Sequence, residues 1–422
     1  MKNKLWTRDF TILTLGSIVS MFGNAASGFA ISILVLDYTN STFLYAFFMV
    51  VYFIPHIIAP LFAGPYMDRF SRKKVIYTLD FISAGMYVIV FALIFSGWFN
   101  YPIFLMLTLL IGCIDSVYSV AYDSLYPNLV TEGNLSKAYS ISSIIYPIAS
   151  VMVFVSSIIY SVLGTVAPIF AFNAITFLVA AIFETRIEYH EKHIKSKKKE
   201  KFNLEKYKTD FIEGFNYIKG EKGLMVITIY FFITMFANGA SSTLTLPFFK
   251  NNTLLFPQYE LFGFIITSIV WFSIISGIGV LGRLIGGVIH YQYKYPIEKK
   301  FNIALFVYTT ISIIEAFTLY LPVWVMMINF FIVGILGVTS FNIRISATQA
   351  YVPDSKRGRF NGTFQMFMSF GAILGQLAAG SLGEFVPERI VIMAFMGINM
   401  LAVYFVMYKG RKHVKVIYNR DS

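Results

Sequence analysis

The segment between the second and third apolar runs of the sequence places one carboxylate beside four cations. It reads Gly64-Pro-Tyr-Met-Asp68-Arg69-Phe-Ser-Arg72-Lys73-Lys74. A carboxylate among cations can form a charge clamp in one conformation and release it in another. A plain excess of cytoplasmic cations would explain the Lys and Arg residues. It would not explain a glycine, which permits close packing at a helix end, four residues before the Asp-Arg pair.

Asp115 is a carboxylate near the middle of the apolar run 101–124. Ionisable groups inside such runs are costly, which makes them functional candidates by default. Asp115 could take up and release a proton during substrate exchange. Alternatively, it is a structural carboxylate that is hydrogen-bonded to Ser116, to Ser119 or to another helix.

Two amides and two aromatic side chains are candidates for lining a substrate cavity. Asn24 and Asn238 lie at similar depths in their apolar runs and could donate to a small molecule. Hydrogen bonds between helices are the alternative role for these amides. Phe22 and Tyr118 could line an aromatic pocket, although ordinary packing is the competing explanation in a chain with 18% aromatic residues.

The composition indicates the elements that must position these residues. Of 422 residues, 57% are hydrophobic and 13% are charged, whereas soluble domains have about 45–50% and about 25%. This excludes a soluble enzyme, a disordered chain and a nucleic-acid-binding domain. The net charge of +12 comes from clusters between apolar runs, as expected of cytoplasmic loops. The sequence therefore predicts a multi-pass, all-α membrane protein, and its Ile-, Lys- and Asn-rich composition suggests a bacterial plasma membrane.

Twelve membrane spans are predicted from apolar runs of about 20 residues. They lie near 10–36, 43–66, 74–96, 101–124, 138–162, 166–186, 224–249, 262–290, 301–320, 323–345, 361–382 and 389–408. The loops assigned to the outside carry only Lys250, with Arg389 at a span edge. The other 32 Lys and Arg residues are assigned to loops or span ends on the opposite side. Both termini are therefore predicted to be cytoplasmic.

The longest segment between spans divides the chain into two halves. An N-terminal six-helix bundle is predicted over 1–186, a basic cytoplasmic linker over 187–223 and a C-terminal six-helix bundle over 224–408. A basic cytoplasmic tail follows at 409–422. Within the linker, apolar residues at helical spacing over 204–218 predict an amphipathic helix on the membrane surface. It either joins the halves as a plain linker or senses lipid.

The sequence lacks the motifs that are typical of disulfide, metal, nucleophilic and nucleotide chemistry. Cys113 is the single cysteine, so no disulfide is predicted. The five histidines are scattered, and neither an H-E-x-x-H motif, a nucleophile elbow nor a phosphate-binding loop is present. No cofactor, metal site or enzymatic activity is predicted.

The loop Gly64–Lys74 resembles the signature of the major facilitator superfamily, G-x-x-x-D-R-x-x-R-[KR]. Two further segments are similar to the branch of that family that includes macrolide-type and siderophore-type exporters. One is Val352-Pro353-Asp354-Ser-Lys-Arg357-Gly358-Arg359, and the other is Asp210-Phe-Ile-Glu213-Gly214. The segment from Pro127 to Ala138 also fits. With the signature loop, these motifs extend the resemblance over nearly the whole chain.

The resemblance implies twelve helices in two six-helix pseudo-repeats, with spans one, four, seven and ten around a central cavity. It implies a cytoplasmic latch in the outward-open state, which comprises Asp68, Arg69, Arg72, Arg357 and Arg359. Gly64 and Lys73 belong to the segment Gly64–Lys74, here called the first gate motif. Asp354 belongs to the segment Val352–Arg359, here called the second gate motif. Span nine is peripheral in this fold, so a structural role is expected for its Glu315. Asp80 and Asp123 lie nearer the cytoplasmic ends of their spans and are expected to pair with loop cations.

Two departures from the exporter branch bear on function. Asn24 stands where an acidic residue is common, which leaves Asp115 as the main candidate for proton coupling. Ser140 to Val162 also contains no glycine, although span five of exporters often has a Gly-Pro-x-x-Gly run. Both departures weaken the case for proton antiport and export.

The function expected from the resemblance is export of a hydrophobic or amphipathic small molecule, coupled to protons, by a monomer embedded in membrane lipid. The alternative is a dedicated carrier for an endogenous metabolite, a siderophore or a lipid-linked compound, without proton coupling. A membrane-embedded enzyme and a transport-deficient receptor are further alternatives.

Overall fold

The structure is a computed structural model that describes residues 4–67, 70–131, 134–191, 204–261, 264–292 and 295–420. Helices dominate these ranges. In chain order they are α1 Arg8–Thr39, α2 Thr42–Met67, α3 Arg72–Phe95, α4 Tyr101–Leu129, α5 Leu135–Ala149, α6 Val151–Leu163, α7 Ala167–Glu184, α8 Leu204–Gly220, α9 Lys222–Asn251, α10 Ser268–Gln292, α11 Lys300–Thr318, α12 Val323–Tyr351, α13 Asp354–Gly383, α14 Glu388–Ala402 and α15 Arg411–Tyr418. Short 3₁₀ turns occur at Thr253–Leu255 and Ile297–Lys299, and α14 continues as a π-helix over Val403–Tyr408.

Local capping residues fix several helix starts. The side chains of Thr7, Ser71 and Asn100 accept hydrogen bonds from backbone N–H groups in the first turns of α1, α3 and α4. Each cap satisfies one of the amides that the first turn of a helix leaves unpaired. The apolar runs of the sequence therefore begin as helices at defined residues.

Ten of the helices within the described residues are long and apolar enough to cross a membrane. Thr42–Ile58 and Pro147–Leu163 are shorter apolar stretches, so the exact number of twelve spans stays a prediction. The predicted fifth span is interrupted at Ser150, between α5 and α6, and Pro147 lies inside the last turn of α5.

The prediction that span eight begins at residue 262 is wrong, because α10 begins at Ser268. A small antiparallel hairpin precedes it and pairs β1 Tyr259–Leu261 with β2 Phe264–Ile266. Phe264, Ile265 and Ile266 are apolar and aromatic or β-branched, so composition alone did not separate a strand from a helical turn.

The chain divides into two compact units. The N-terminal unit comprises the described residues of Met1–Asn40, Phe48–Phe202 and Tyr259–Ile266. The C-terminal unit comprises those of Ser41–Phe47, Asn203–Gln258 and Thr267–Ser422.

The core of the N-terminal unit joins α1, α3 and α4 through Phe10, Leu13, Ile76 and Leu125, all fully buried. Tyr126 packs with them, and its hydroxyl donates to the carbonyl of Ala138 in α5 at 2.7 Å. These contacts fix α3 and α4, which carry Asp80 and Asp115.

The C-terminal unit is built on close contact between α9 and α13. A Cβ atom on Gly239 would lie 2.6 Å from the carbonyl carbon of Gly375, so both positions require the smallest residue for the backbones to meet. Tyr230, Phe231 and Tyr308 pack beside this contact. The contact positions Asn238 and the neighbouring α9 side chains toward α10, α11 and α12.

Candidate functional site

The first gate motif is described in part. Gly64 lies in α2, whereas Asp68 and Arg69 lie outside the described residues. Arg72 and Lys73 begin α3 and contact carbonyl groups of their own unit. Arg72 Nη1 donates to the carbonyl of Ser124 at 2.9 Å, and Lys73 Nζ donates to that of Ile187 at 3.0 Å.

The carboxylate of Glu191 caps the N-terminus of α3. It accepts from the Ser71 hydroxyl at 2.7 Å and from the N–H groups of Arg72 and Lys73 at 2.9 and 3.2 Å. A helix N-terminus favours an anion because its free N–H groups and its dipole both stabilise negative charge. The gate motif therefore begins a helix whose N-terminal amides are occupied by a carboxylate of the same unit.

The second gate motif contacts the segment Asp210–Gly214 through Glu213 and Gly214. Arg359 of α13 and Glu213 of α8 form an ion pair with Nη1 and Oε2 2.6 Å apart. A Cβ atom on Gly214 would lie 2.7 Å from the carbonyl of Arg359, so glycine there lets α8 approach α13. Arg357 donates to the carbonyls of Gln349 and Val352 at 3.0 and 3.3 Å.

Two side chains named in these motifs, those of Asp354 and Asp210, lie outside the described part of the chain. The same holds for the carboxylate of Asp68, the centre of the predicted latch. The latch therefore stays a prediction. The contacts given above for Arg72, Lys73, Arg357 and Arg359 join residues of the same unit.

Asp115 contacts another helix. The hydroxyl of Tyr52 in α2 donates to Asp115 Oδ2 at 2.8 Å. A Cβ atom on Gly112 would lie 2.5 Å from the carbonyl of Tyr52, and Ser116 donates to the carbonyl of Pro55 at 3.1 Å. The small residues of α4 thus bring α2 close enough for Tyr52 to reach the carboxylate.

Asp80 and Glu184 form a second acidic element, here called the acidic pair. Asp80 is 1% exposed, Glu184 is fully buried, and none of their four oxygen atoms has a hydrogen-bond partner. The two carboxyl groups lie close to each other, although no hydrogen bond of acceptable geometry joins them. Within the described ranges, Asp80 pairs with no loop cation, so that expectation is wrong.

Two elements surround the acidic pair. The hydroxyl of Tyr118 is buried without a hydrogen-bond partner and lies near Glu184. Gly16 of α1 is so close that a Cβ atom there would be 2.8 Å from Glu184 Oε1. Glu184 was not predicted as a functional residue, because Arg186 follows it and makes the position resemble the end of a span.

Two cavities, of about 410 and 440 Å³, lie among the described residues of the C-terminal unit. Both are lined by Asn238, Arg283, Glu315 and Val333. The smaller one, here called the basic cavity, is also lined by Arg344. Of the four predicted cavity residues, Asn238 is the one that lines these cavities. Asn24, Tyr118 and Phe22 belong to the N-terminal unit.

Glu315 lines both cavities and accepts from the hydroxyl of Ser241 in α9 at 3.3 Å. The expectation that it is peripheral is therefore wrong. Its helix, α11, packs against α12 and α14, which directs part of its surface into the unit. Asp115 was selected because an ionisable group inside an apolar run is costly, and the same reason applies to Glu315.

Arg344 lies among aromatic rings. Its guanidinium carbon is 5.0 Å from the ring centroids of Phe231 and Phe364 and 5.3 Å from that of Phe341. Aromatic faces attract a guanidinium through their quadrupoles. Three rings therefore stabilise this charge in the wall of the basic cavity.

The basic residues of this cavity correct the predicted distribution of charge. Arg283 lies in the second half of α10 and Arg344 in the last third of α12. Both were assigned to loops or span ends. An arginine between apolar residues was the available signal, and the count of loop charges concealed it.

Comparison with known proteins identifies relatives along most of the chain. The family model described as Major Facilitator Superfamily matches residues 13–375. A Bacillus subtilis (strain 168) protein named "Uncharacterized MFS-type transporter YkuC" is 26% identical over 413 residues, which cover 94% of this chain and 91% of the relative.

Solved structures share the fold at low identity. The nucleoside transporter NupG superposes with a TM-score of 0.70 at 14% identity and covers 95% of this chain and 99% of its own. A bacterial homologue of the iron transporter ferroportin, in an inward-facing state, has a TM-score of 0.68 at 16% identity, with coverages of 96% and 98%. Among the described residues, no three His, Cys, Asp or Glu side chains form a group that could hold a metal ion.

Proposed function

Because the chain belongs to the major facilitator superfamily and is a multi-pass membrane transporter of that type, we propose that it exports a hydrophobic or amphipathic small molecule. Export occurs across the plasma membrane by alternating access, in exchange for protons. The motifs shared with macrolide-type and siderophore-type exporters support the direction. Both termini are proposed to be cytoplasmic, since the basic segments 192–208 and 409–415 flank the spans on that side.

The observation that carries the proposal is the set of carboxyl groups in the N-terminal unit. Asp80, Asp115 and Glu184 lie in membrane-spanning helices, and within the described ranges none has an ion-pair partner. Isolated negative charges in such positions are costly, and a proton removes the charge. The N-terminal unit is therefore suited to binding and releasing protons.

Asp115 is the proposed exchange site. The acidic pair is more deeply buried, and its two carboxyl groups can share one proton, since two adjacent negative charges repel. Asp115 is half-buried and is hydrogen-bonded by a single tyrosine, which leaves it the more accessible of the two elements. We assign coupling to Asp115 and a retained proton to the acidic pair.

The proposed gate places Asp68 at the N-terminus of α13 in the outward-open state, with Arg69, Arg72, Arg357 and Arg359 around it. A helix N-terminus stabilises a carboxylate, and this supports the arrangement. Replacing Asp68 with Asn should abolish transport while leaving the folded protein intact in size-exclusion chromatography. Unchanged transport would contradict the latch.

A second candidate function is a dedicated carrier for an endogenous metabolite, a siderophore or a lipid-linked compound, without proton coupling. Two observations favour it. Asn24 replaces the acidic residue common in the exporter branch, and Ser140 to Val162 lacks glycine.

Proteoliposomes that contain a pH-sensitive dye distinguish these functions. Ethidium, erythromycin or a hydroxamate siderophore is added to the wild type, to Asp115→Asn and to Asp37→Asn. Asp37 is a matched control, because Tyr160 donates to its carboxylate at 2.8 Å, the distance between Tyr52 and Asp115. We expect substrate-driven proton movement in the wild type and in Asp37→Asn, and its loss in Asp115→Asn. Substrate flux without proton movement would contradict the first function and support the second.

A further inference from the structure

Among the described residues, no carboxylate of the C-terminal unit forms an ion pair with Arg344. Within the described ranges this arginine has neither an ion-pair partner nor a hydrogen-bond acceptor. The three rings around it stabilise its charge but accept none of the hydrogen bonds that its planar fork of N–H donors can make. A carboxylate or phosphate matches that fork.

The other ionisable groups of the basic cavity do not cancel this charge. They are Arg283 and Glu315, so two arginines face one carboxylate. No ion pair within 4.0 Å joins Arg283 to Glu315 in the described part of the chain. The wall of the cavity therefore carries excess positive charge even when Glu315 is ionised, and a ligand with a negative group would balance it.

The remaining wall suits an apolar or aromatic ligand body. Tyr230, Phe231, Phe341 and Met368 are among the apolar and aromatic residues that line the basic cavity with Arg344. A volume of about 410 Å³ lies within the range of about 300–1,000 Å³ that small-molecule sites occupy. The cavity therefore has room for an aromatic body of modest size beside the guanidinium.

The two asparagines that line the basic cavity differ in whether their amide groups are already hydrogen-bonded. Asn399 is occupied, because its Nδ2 donates to Ser312 and its Oδ1 accepts from Thr234, both at 2.9 Å. Asn238 has no hydrogen-bond partner in the described structure, although it lines the same cavity. Its amide is available to a second polar group of the ligand.

We infer that the basic cavity binds an amphipathic organic anion, with the carboxylate or phosphate on Arg344 and an aromatic or apolar body against the surrounding rings. Asn238 orients a further polar group of the ligand. As a transport substrate this ligand rests on the proposed function, whereas its binding to the folded protein is independent of transport.

The test measures binding to the full-length protein in nanodiscs by isothermal titration. The probes are 2-naphthoate, 2-naphthyl phosphate, 2-naphthamide and 2-naphthylmethylamine, which share a ring system and differ in charge. We expect at least one of the two anions to bind about tenfold or more tightly than the neutral amide, and the amine to bind most weakly. Comparison of the two anions identifies carboxylate or phosphate as the preferred group.

The variants assign this preference to Arg344. Arg344→Gln should weaken anion binding about tenfold to a hundredfold and leave amide binding unchanged. Arg344→Lys should bind the anions with an affinity between those of the wild type and Arg344→Gln, since it keeps the charge and loses the planar fork of N–H donors. Arg389→Gln is the matched control, because Arg389 also lies over an aromatic ring, that of Tyr320 at 5.0 Å, and lines neither cavity. It should bind like the wild type.

Several outcomes would overturn the inference. They are equal affinity for anions and amide, no binding of any probe at millimolar concentration, and anion binding that survives in Arg344→Gln. If Arg344→Gln does not fold, the charge series on the wild type and the Arg344→Lys variant still decide. Anion binding without flux would contradict the proposed function alone. Flux of a naphthyl anion that is unaffected by Arg344→Gln would contradict the anion site alone.

Discussion

The N-terminal and C-terminal units differ in the sign of the charges that their helices leave unbalanced. Asp80, Asp115 and Glu184 of the N-terminal unit have no cation partner among the described residues. In the C-terminal unit, Arg283 and Arg344 outnumber Glu315 in the basic cavity. Each unbalanced charge favours an ion of opposite sign.

This difference indicates a division of roles within one fold. A proton neutralises a carboxyl group without needing a cavity, and the acidic pair is almost fully buried. An organic anion needs a cavity, and the arginines line one. Under the two proposals, protons and an anionic substrate therefore bind to residues of different units.

The largest expected effect is reversal of charge in the basic cavity. Arg344→Glu would leave Arg283 facing two carboxylates and should weaken binding of the preferred naphthyl anion more than about a hundredfold, since like charges repel strongly at close range. Isothermal titration measures the change, and Arg389→Glu is the control. Retained anion binding would remove the electrostatic contrast between the units.

The next effect concerns the single carboxylate of the basic cavity. Glu315→Gln should strengthen anion binding about threefold to tenfold, because it removes the negative charge that faces the ligand. Glu388→Gln is the control, since Glu388 accepts from Asn251 at 2.7 Å and lines neither cavity. Weaker binding in Glu315→Gln would mean that Glu315 contacts the ligand as an acceptor.

A smaller effect comes from Glu384, a carboxylate with partners outside the spans. Burial raises the pKa of Glu384, but the hydrogen bonds from the N–H of Phe43 and the hydroxyls of Ser41 and Thr42 lower it by more. The pKa of Glu384 therefore lies below its ordinary value. Its stabilising contribution is therefore present above about pH 4.3 and is lost as the pH falls through the lower folded-state pKa.

Thermal unfolding as a function of pH measures this contribution. Glu384→Gln should lower the midpoint by about 2 °C at pH 7, as expected for the loss of a helix cap. The difference from the wild type should disappear in acid. A difference that persists at pH 3 would assign the contribution to packing and not to charge.

The smallest expected effect is in the acidic pair. Glu184→Gln should change the free energy of unfolding by less than about 1 kcal/mol, because a carboxyl group that already holds a proton resembles a neutral amide. Loss of about 3–5 kcal/mol is typical when a buried ion pair is broken. A loss of that size would reveal a cation partner and end the contrast between the units. Denaturant unfolding in mixed micelles measures it, with Glu388→Gln alongside.

The helical membrane architecture followed from the sequence because apolar runs of sufficient length have few other structures available in a bilayer. The cap residues Thr7, Ser71 and Asn100 begin α1, α3 and α4 by contacts within one turn. The match of Gly64 and its neighbours to a family signature is also a local pattern. The β-hairpin before α10 was not predicted, since pairing between strands is a contact that hydropathy does not report.

The candidate sites depended on tertiary structure. Asp115 and Asn238 were predicted from depth alone, whereas Glu184, Arg283 and Arg344 were missed. Depth in a span indicates that a polar side chain is costly, but which helix faces it decides whether it meets a partner, another charge or a cavity. Hydropathy along the chain therefore determined that helices cross a membrane, and only the packing of α9 to α12 determined that two arginines and one glutamate share a cavity.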